Sequence, residues 1–143
     1  MTTFPRDKAM GLLARAPVAR LSQVFPQLPD HAVLRGPEVG AVMVRGRQGG
    51  TGAPFNLGEM TVTRCSVRLA CGTTGHAHVQ GRDKDHARRA AVIDALLQTE
   101  AADVLAEVVL SPLAKAEAER RRSRAAKAAA TKVEFFTMVR GDD

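Results

Sequence analysis

The stretch Glu59-Met-Thr-Val-Thr-Arg-Cys-Ser-Val-Arg-Leu69 decides the fold, because its residues alternate in character. Met60 and Val62 fall on one side of an extended chain and the threonines on the other, and β-branched residues are typical of strands. Cys71-Gly-Thr-Thr-Gly75 then predicts a turn, and His76 to Gly81 predicts the returning strand. The centre of the chain is therefore expected to be a β-hairpin.

Outward from this hairpin, the pattern predicts strands before it and helices at both ends. Proline favours helix starts at Pro17 and Pro112, and Asp83 suits the start of a central helix. The predicted helices are 7–15, 17–28, 83–98, 101–111 and 112–130; the further strands are 32–34 and 40–45, around a Gly36-Pro37-Glu38 turn, with a flexible loop at 46–52.

The last eleven residues, Val133 to Asp143, are unusually apolar for a chain end and predict a final strand. Both of its faces are substantially apolar, so we expect it to lie at, or exchange across, a subunit interface. The predicted interface residues are Phe135, Phe136, Met138 and Arg140. The expected fold is one α+β domain, 1–143, with a largely antiparallel β-sheet, N-terminal helices, a central helix, a long C-terminal helix and a final C-terminal strand.

Composition limits the functional classes. The chain of 143 residues has no Trp and no Tyr, so its core must be filled by Ala, Val, Leu and five Phe. Two cysteines do not make a disulfide framework, and neither a signal peptide nor a membrane span is recognisable. We therefore expect a cytoplasmic, reducing compartment.

The formal charge of +6 is concentrated in one predicted helix, since residues 112–132 hold seven Lys or Arg and two Glu. Basic helices can bind nucleic acid, and a nucleic-acid-binding module using this helix is an alternative function. The run Arg120-Arg-Arg-Ser-Arg124, however, spreads its charge around the helix, which favours a solvated helix or one facing an acidic partner.

Four cations form a candidate anion-binding or partner-binding site: Arg64, Arg68, Arg82 and Lys84. Arg64 and Arg68 lie four residues apart on a strand and so share a face. Arg82 and Lys84 lie where a strand leads into a helix, and helix starts offer backbone donors to anions. The alternative is a set of solvated charges with ordinary helix capping.

Other combinations carry less chemistry. Cys65, Cys71, His76 and His78 lack the spacing of a structural zinc site, and buried free cysteines with a surface histidine pair fit them better. Gly49-Gly-Thr-Gly52 lacks the context of a phosphate-binding loop. Asp94 is expected to pair with an arginine. We predict no catalytic residue, no metal site and no cofactor in this chain.

Three segments taken together carry a family resemblance: Arg47-Gln-Gly-Gly-Thr-Gly-Ala-Pro-Phe-Asn-Leu-Gly-Glu-Met-Thr-Val-Thr-Arg64, Val79-Gln-Gly-Arg-Asp-Lys-Asp-His86 with its helix to Gln98, and the tail Val133 to Asp143. In this order they closely resemble the PhnG family, the small subunits of the bacterial carbon–phosphorus lyase system. The clear match covers roughly residues 47–98 and 133–143, just under half of the chain.

The resemblance implies a subunit of a cytoplasmic core complex with H, I and J subunits, with an ATPase-like L subunit also required for the synthesis. A second copy of this chain is a further candidate partner. It implies a part in phosphonate catabolism, through synthesis of alpha-D-ribose 1-methylphosphonate 5-triphosphate from ATP and methylphosphonate with release of adenine. It carries no settled catalytic residues for this subunit, which is expected to be required yet inactive alone.

Overall fold

A computed structural model describes residues 4–133 of the chain. Two helices come first, a three-stranded meander follows, and the rest is helical. The elements are α1 (Arg6–Arg15), α2 (Val18–Val24), β1 (His31–Arg47), a 3₁₀ turn (Gln48–Gly50), β2 (Pro54–Leu69), β3 (Thr74–Gln80), α3 (Lys84–Leu96), α4 (Ala102–Leu105), a π-helical segment (Ala106–Leu110) and α5 (Ser111–Ala130).

The strands form one antiparallel sheet in the order β1-β2-β3. β1 pairs with β2 from His31–Leu69 to Arg47–Pro54, whereas β3 pairs with β2 only from Arg68–Thr74 to Val62–Gln80. This arrangement confirms the predicted α+β class and the predicted central hairpin. The proposed final strand, with Phe135, Phe136, Met138 and Arg140, lies outside the described residues.

The prediction of two short strands around a Gly36-Pro37-Glu38 turn is wrong, because β1 is one strand of 17 residues. The pairing register shifts between Val33 and Arg35 and again between Arg35 and Glu38. Proline has no N–H to give to a strand ladder and is accommodated on edge strands and at bulges. Pro37 therefore lies in an irregular part of an edge strand and does not reverse the chain.

The core lies where α3 crosses the sheet. Ala91 and Ala95 of α3 approach Gly75 of β3 so closely that a Cβ added at Gly75 would overlap the Ala91 carbonyl oxygen. Glycine and alanine at this crossing let the two backbones come together, which explains how a chain poor in large aromatic residues packs tightly. The fully buried side chains of Val67, Val79 and Ile93 fill the space around the crossing.

The N-terminal helices pack on the same body. The helix predicted to reach Leu28 ends at Val24, since Phe25 leaves helical geometry just before Pro26. The Arg89 guanidinium of α3 donates to the carbonyl oxygens of Phe25 and Pro26 and so ties this end to the core.

The C-terminal helices form one winding run, because the residues around the predicted break at Pro112 keep helical geometry. Leu110 and Leu113 are buried against the body, but every residue from Glu119 to the end of α5 is exposed. We call residues 119–130 the distal helix. In the part of the chain that the structure describes, no helix is long and apolar enough to span a membrane.

Candidate interaction surface

The most unusual feature is a two-stranded projection that outruns the sheet. β3 ends at Gln80 opposite Val62, while β1 and β2 continue as a pair to Arg47 and Pro54. We call residues 41–61 the ribbon. Seven residues of β1 beyond Gly40 give it a length of about 23 Å at 3.3 Å per residue. An isolated two-stranded ribbon is at best marginally stable in water, so its composition matters.

One side of the ribbon continues the face of the sheet that carries Arg64. Val42 lies opposite Met60, and Val44 lies opposite Gly58. A Cβ added at Gly46 would meet the Phe55 ring at 3.5 Å and Leu57 at 3.9 Å, so both of these side chains stand over Gly46. Leu57 is 65% exposed.

The other side of the ribbon continues the face that α3 covers. Ala41 lies opposite Thr61, and Met43 lies opposite Glu59. Val39, at the base of this side, and Met43 are exposed large apolar residues. This side of the ribbon is therefore mixed, since Ala41 and Met43 share it with Thr61 and Glu59, whereas the opposite side carries Phe55 and Leu57.

Arg64 and Arg68 share the outer face of the sheet, as their spacing predicts. Both are exposed, while Cys65 and Val67, which lie between them in β2, are buried under α3 on the opposite face. Arg64 lies opposite Glu38 and His78, with its guanidinium 4.0 Å from the Glu38 carboxylate. Glu38 also accepts a 2.9 Å hydrogen bond from Arg35. Among the described residues, Arg35 and Arg64 thus share the Glu38 carboxylate on this face.

The four predicted cations do not form one compact cluster. Arg68 lies opposite Thr74 at the start of β3, whereas Arg82 follows the other end of that strand. Seven residues of β3 separate these ends by about 20 Å. At the corner beside Arg82 and Lys84, the Asp83 carboxylate caps the helix by accepting from the His86 N–H at 2.7 Å. An anion at that helix start would have to compete with this carboxylate.

The cysteines and histidines do not converge either. Cys65 is buried against α3, while His76 and His78 are exposed on β3 and Cys71 is exposed in the turn, so the expectation of two buried cysteines is wrong for Cys71. Burial raises the pKa of the Cys65 thiol, and the Thr73 hydroxyl, 3.3 Å from the Cys71 sulfur, lowers the pKa of that thiol. Among residues 4–133, no three His, Cys, Asp or Glu side chains are grouped as metal ligands.

Three buried polar side chains, Asp94, His86 and Thr63, form hydrogen bonds within the fold, whereas the buried Arg88 Nε has no partner among the described residues. Asp94 pairs with an arginine, as predicted: Arg6 donates to its two oxygens at 3.0 and 2.8 Å, and the His76 N–H donates at 2.9 Å. The His86 ring Nε2 lies 2.7 Å from the Leu13 carbonyl oxygen, and the Thr63 hydroxyl donates to the Gly81 carbonyl oxygen at 2.7 Å. These groups join α1, α3 and the sheet.

The consecutive arginines 120–122 spread around the distal helix, because successive residues of a helix are turned by about 100°. Together with Glu119, the cations Arg120, Arg124 and Lys127 border one shallow hollow. They are four and three residues apart, which places them on one helical face. Sequence reasoning missed the ribbon, because residues 46–52 were assigned to a loop; the available signal was the apolar pair Phe55 and Leu57 directly after that loop.

Comparison with known proteins bears on what this surface serves. The chain matches the family described as "Phosphonate metabolism protein PhnG" over residues 4–141. It is also 49% identical, over 142 residues, to the alpha-D-ribose 1-methylphosphonate 5-triphosphate synthase subunit PhnG of Rhizobium meliloti (strain 1021), a match that covers 96% of this chain and 90% of that protein. A match over nearly the whole chain shows that this protein belongs to the PhnG family.

Proposed function

We propose that this chain is a subunit of an alpha-D-ribose 1-methylphosphonate 5-triphosphate synthase, which acts in phosphonate catabolism. The observation that carries the proposal is the 49% identity, over 96% of the chain, to a protein named as the PhnG subunit of that synthase. The reaction joins methylphosphonate to the ribose of ATP and releases adenine. The partners that we propose are the H, I and J subunits of the carbon–phosphorus lyase core complex, in the cytoplasm.

Within that assembly, we propose an architectural role for this chain. Its buried polar side chains, Asp94, His86 and Thr63, are each engaged in hydrogen bonds between elements of the fold. The ribbon, in contrast, presents large apolar side chains that the described part of the chain leaves exposed. Such a surface suits a subunit that holds larger subunits together. Phe135, Phe136, Met138 and Arg140 are proposed to extend the interface.

A second part of the proposal concerns charge. Arg64 and Arg68 on the outer sheet face, and Arg82 with Lys84 at the corner, are proposed to face an acidic partner surface or the substrate triphosphate. A charge-assisted hydrogen bond is worth about 1.5–3 kcal/mol, so Arg64→Ala should reduce assembly or activity by about ten- to a hundredfold. Assembly and rate equal to wild type in this variant would show that these residues are only solvated charges.

The decisive experiment measures adenine release from ATP plus methylphosphonate. The H, I and J subunits, supplemented with the ATPase-like L subunit, are assayed with and without this chain, and this chain is assayed alone after removal of contaminating nucleosidases. We expect release only when the full set is present. Turnover by the chain alone would refute the architectural role, and undiminished turnover without the chain would refute its membership of the synthase.

The basic stripe of Arg120, Arg124 and Lys127 keeps nucleic acid as a second candidate partner. Binding through phosphates weakens steeply with salt, with a slope set by the number of phosphates contacted. Titration of the whole chain with arbitrary duplex DNA at several salt concentrations tests this candidate. We expect only weak binding, because three cations on a single helix contact few phosphates.

A further inference from the structure

Resting on the proposed function, we propose that the ribbon inserts into an apolar cleft with an acidic mouth on another subunit of the synthase. The proposal concerns residues 41–61 and the exposed Val39 at their base. It assigns the ribbon as the main anchor of this chain in the assembly and states the chemistry of the surface that receives it.

Exposed large apolar side chains stand on both sides of the ribbon and its base, which favours a cleft over a flat surface. Met43 and Val39 stand on the side that continues the α3-covered face, and Leu57 and Phe55 stand on the opposite side. A flat partner would cover one side and leave the other in water. A cleft covers both, and the free energy of burying each side is then gained together.

The edges of the ribbon also favour a cleft on another subunit. Within residues 4–133, β1 has a single neighbouring strand, β2, so its outer edge is free; residues 54–60 of β2 have no second neighbour either. Unpaired strand edges are templates for hydrogen bonding with another chain. A cleft whose walls offer main-chain groups satisfies these edges by strand addition.

Size and charge favour a different polypeptide over a second copy of this one. The ribbon holds 21 residues, which matches the 20–30 residues that each partner gives to a standard interface. Its tip carries the exposed Arg45 and Arg47. A second copy is itself a chain with a net charge of +6, whereas an acidic partner surface complements those arginines.

The test compares one substitution on each ribbon side with a matched control. Met43→Ser, Leu57→Ser and the double variant are co-expressed with the H, I and J subunits, and capture of each full-length chain by the complex is measured. Val104→Ser on α4 is the control, since Val104 is 64% exposed, like Leu57 at 65%. We expect each ribbon variant to weaken capture by tenfold or more and the control to match wild type.

The melting temperature and oligomeric state of each isolated chain complete the design. We expect ribbon variants to melt within about 2 °C of wild type, because exposed sites contribute little to stability. A large drop would overturn the proposal by showing that the chain covers its own ribbon. A wild-type dimer that Met43→Ser dissociates would overturn it in favour of a second copy. Normal capture of the double variant, or an equal loss in the control, would refute the proposal that the ribbon anchors this chain but would leave the proposed function intact. Failure of the wild-type chain to join the complex would refute the proposed function as well.

Discussion

The two halves of the β1–β2 hairpin are made of the same two strands, yet their surroundings differ. In the half next to β3, every second residue of β2 is buried, as Cys65, Val67 and Leu69 show. In the ribbon half, residues 54–59 of β2 are all exposed, although Phe55 and Leu57 are as apolar as the residues that α3 covers. The first half is therefore stabilised by burial within the chain, whereas the second carries apolar side chains that the described residues leave exposed.

This difference predicts two kinds of mutational effect within one hairpin. Changes beside α3 should act on folding and should be visible in the isolated chain. Changes in the ribbon should be silent in the isolated chain and act on assembly. Substitutions of the same chemical type, one in each region, can therefore test whether the two regions differ in this way.

The largest effect is expected from Gly75→Ala, paired with Gly58→Ala in the ribbon. The added Cβ at Gly75 would overlap the α3 backbone, while the Cβ at Gly58 would meet nothing within 4 Å. Overpacking against backbone should cost Gly75→Ala about 2–4 kcal/mol of unfolding free energy, and Gly58→Ala should change it by less than about 0.5 kcal/mol. Urea denaturation of the two variants checks this; equal losses would show that the ribbon is packed like the body.

A smaller effect is expected from removing one buried charge. Asp94→Asn disrupts the double hydrogen bond with Arg6 but keeps an oxygen for the His76 N–H. Because the Arg6 side chain is 50% exposed and can be rehydrated, we expect a loss of about 1–2 kcal/mol. Glu38→Gln, beside the base of the ribbon, should change stability by less than about 0.5 kcal/mol, since both members of its pair with Arg35 are half exposed. A larger loss at Glu38 would contradict the comparison.

The distal helix extends the comparison to a projection without large apolar side chains. Ala126→Gly should lower local helix stability by about 1 kcal/mol through backbone entropy. The global melting temperature should not change, because residue 126 is exposed and lies in the part of α5 beyond the body. Amide hydrogen exchange within α5, measured beside a thermal melt, separates the two effects. A lower melting temperature would mean that the distal helix supports the core.

The smallest effect is expected at the pair that joins α1 to α5. Arg15 donates to Glu117 at 2.8 Å and lowers the pKa of that carboxyl below its ordinary value. A carboxylate with a lowered folded-state pKa adds stability that is present above the unfolded pKa, about 4.3, and is lost as pH falls through the folded pKa. Glu117→Gln should therefore cost about 0.5 kcal/mol at neutral pH and nothing in strong acid. Glu119→Gln, at an exposed pair with Arg122, is the control; a cost for Glu117→Gln that persists in strong acid would exclude the ionic origin.

The sequence predicts well what local pattern determines. Alternation locates the β2–β3 hairpin, Pro17 and Asp83 mark helix starts, and even spacing places Arg64 and Arg68 on one face. The continuity of β1 could not be predicted in this way, because Gly36-Pro37 is typical of turns and only edge position with a bulge makes it acceptable in a strand.

Surface features that depend on long-range contacts could not be predicted from the sequence. The sequence predicts that Asp94 pairs with an arginine. It does not identify Arg6, which lies 88 residues away, because that pairing depends on how α1 packs against α3. The ribbon depends on β3 being shorter than its neighbours, a property of pairing lengths that periodicity in one strand does not contain. The separation of Arg68 from Arg82 follows from the same strand length.

The π-helical segment Ala106–Leu110 sets the rotational phase of everything after it. A π turn accommodates an extra residue relative to an α-helix, and each residue turns a helix by about 100°. Deleting one residue there would keep the distal helix on its axis but rotate Arg120, Arg124 and Lys127 by more than a quarter of a turn. The direction in which the basic stripe faces is therefore set by the one extra residue of this π turn, which lies next to the core and ten or more positions before the first arginine of the stripe.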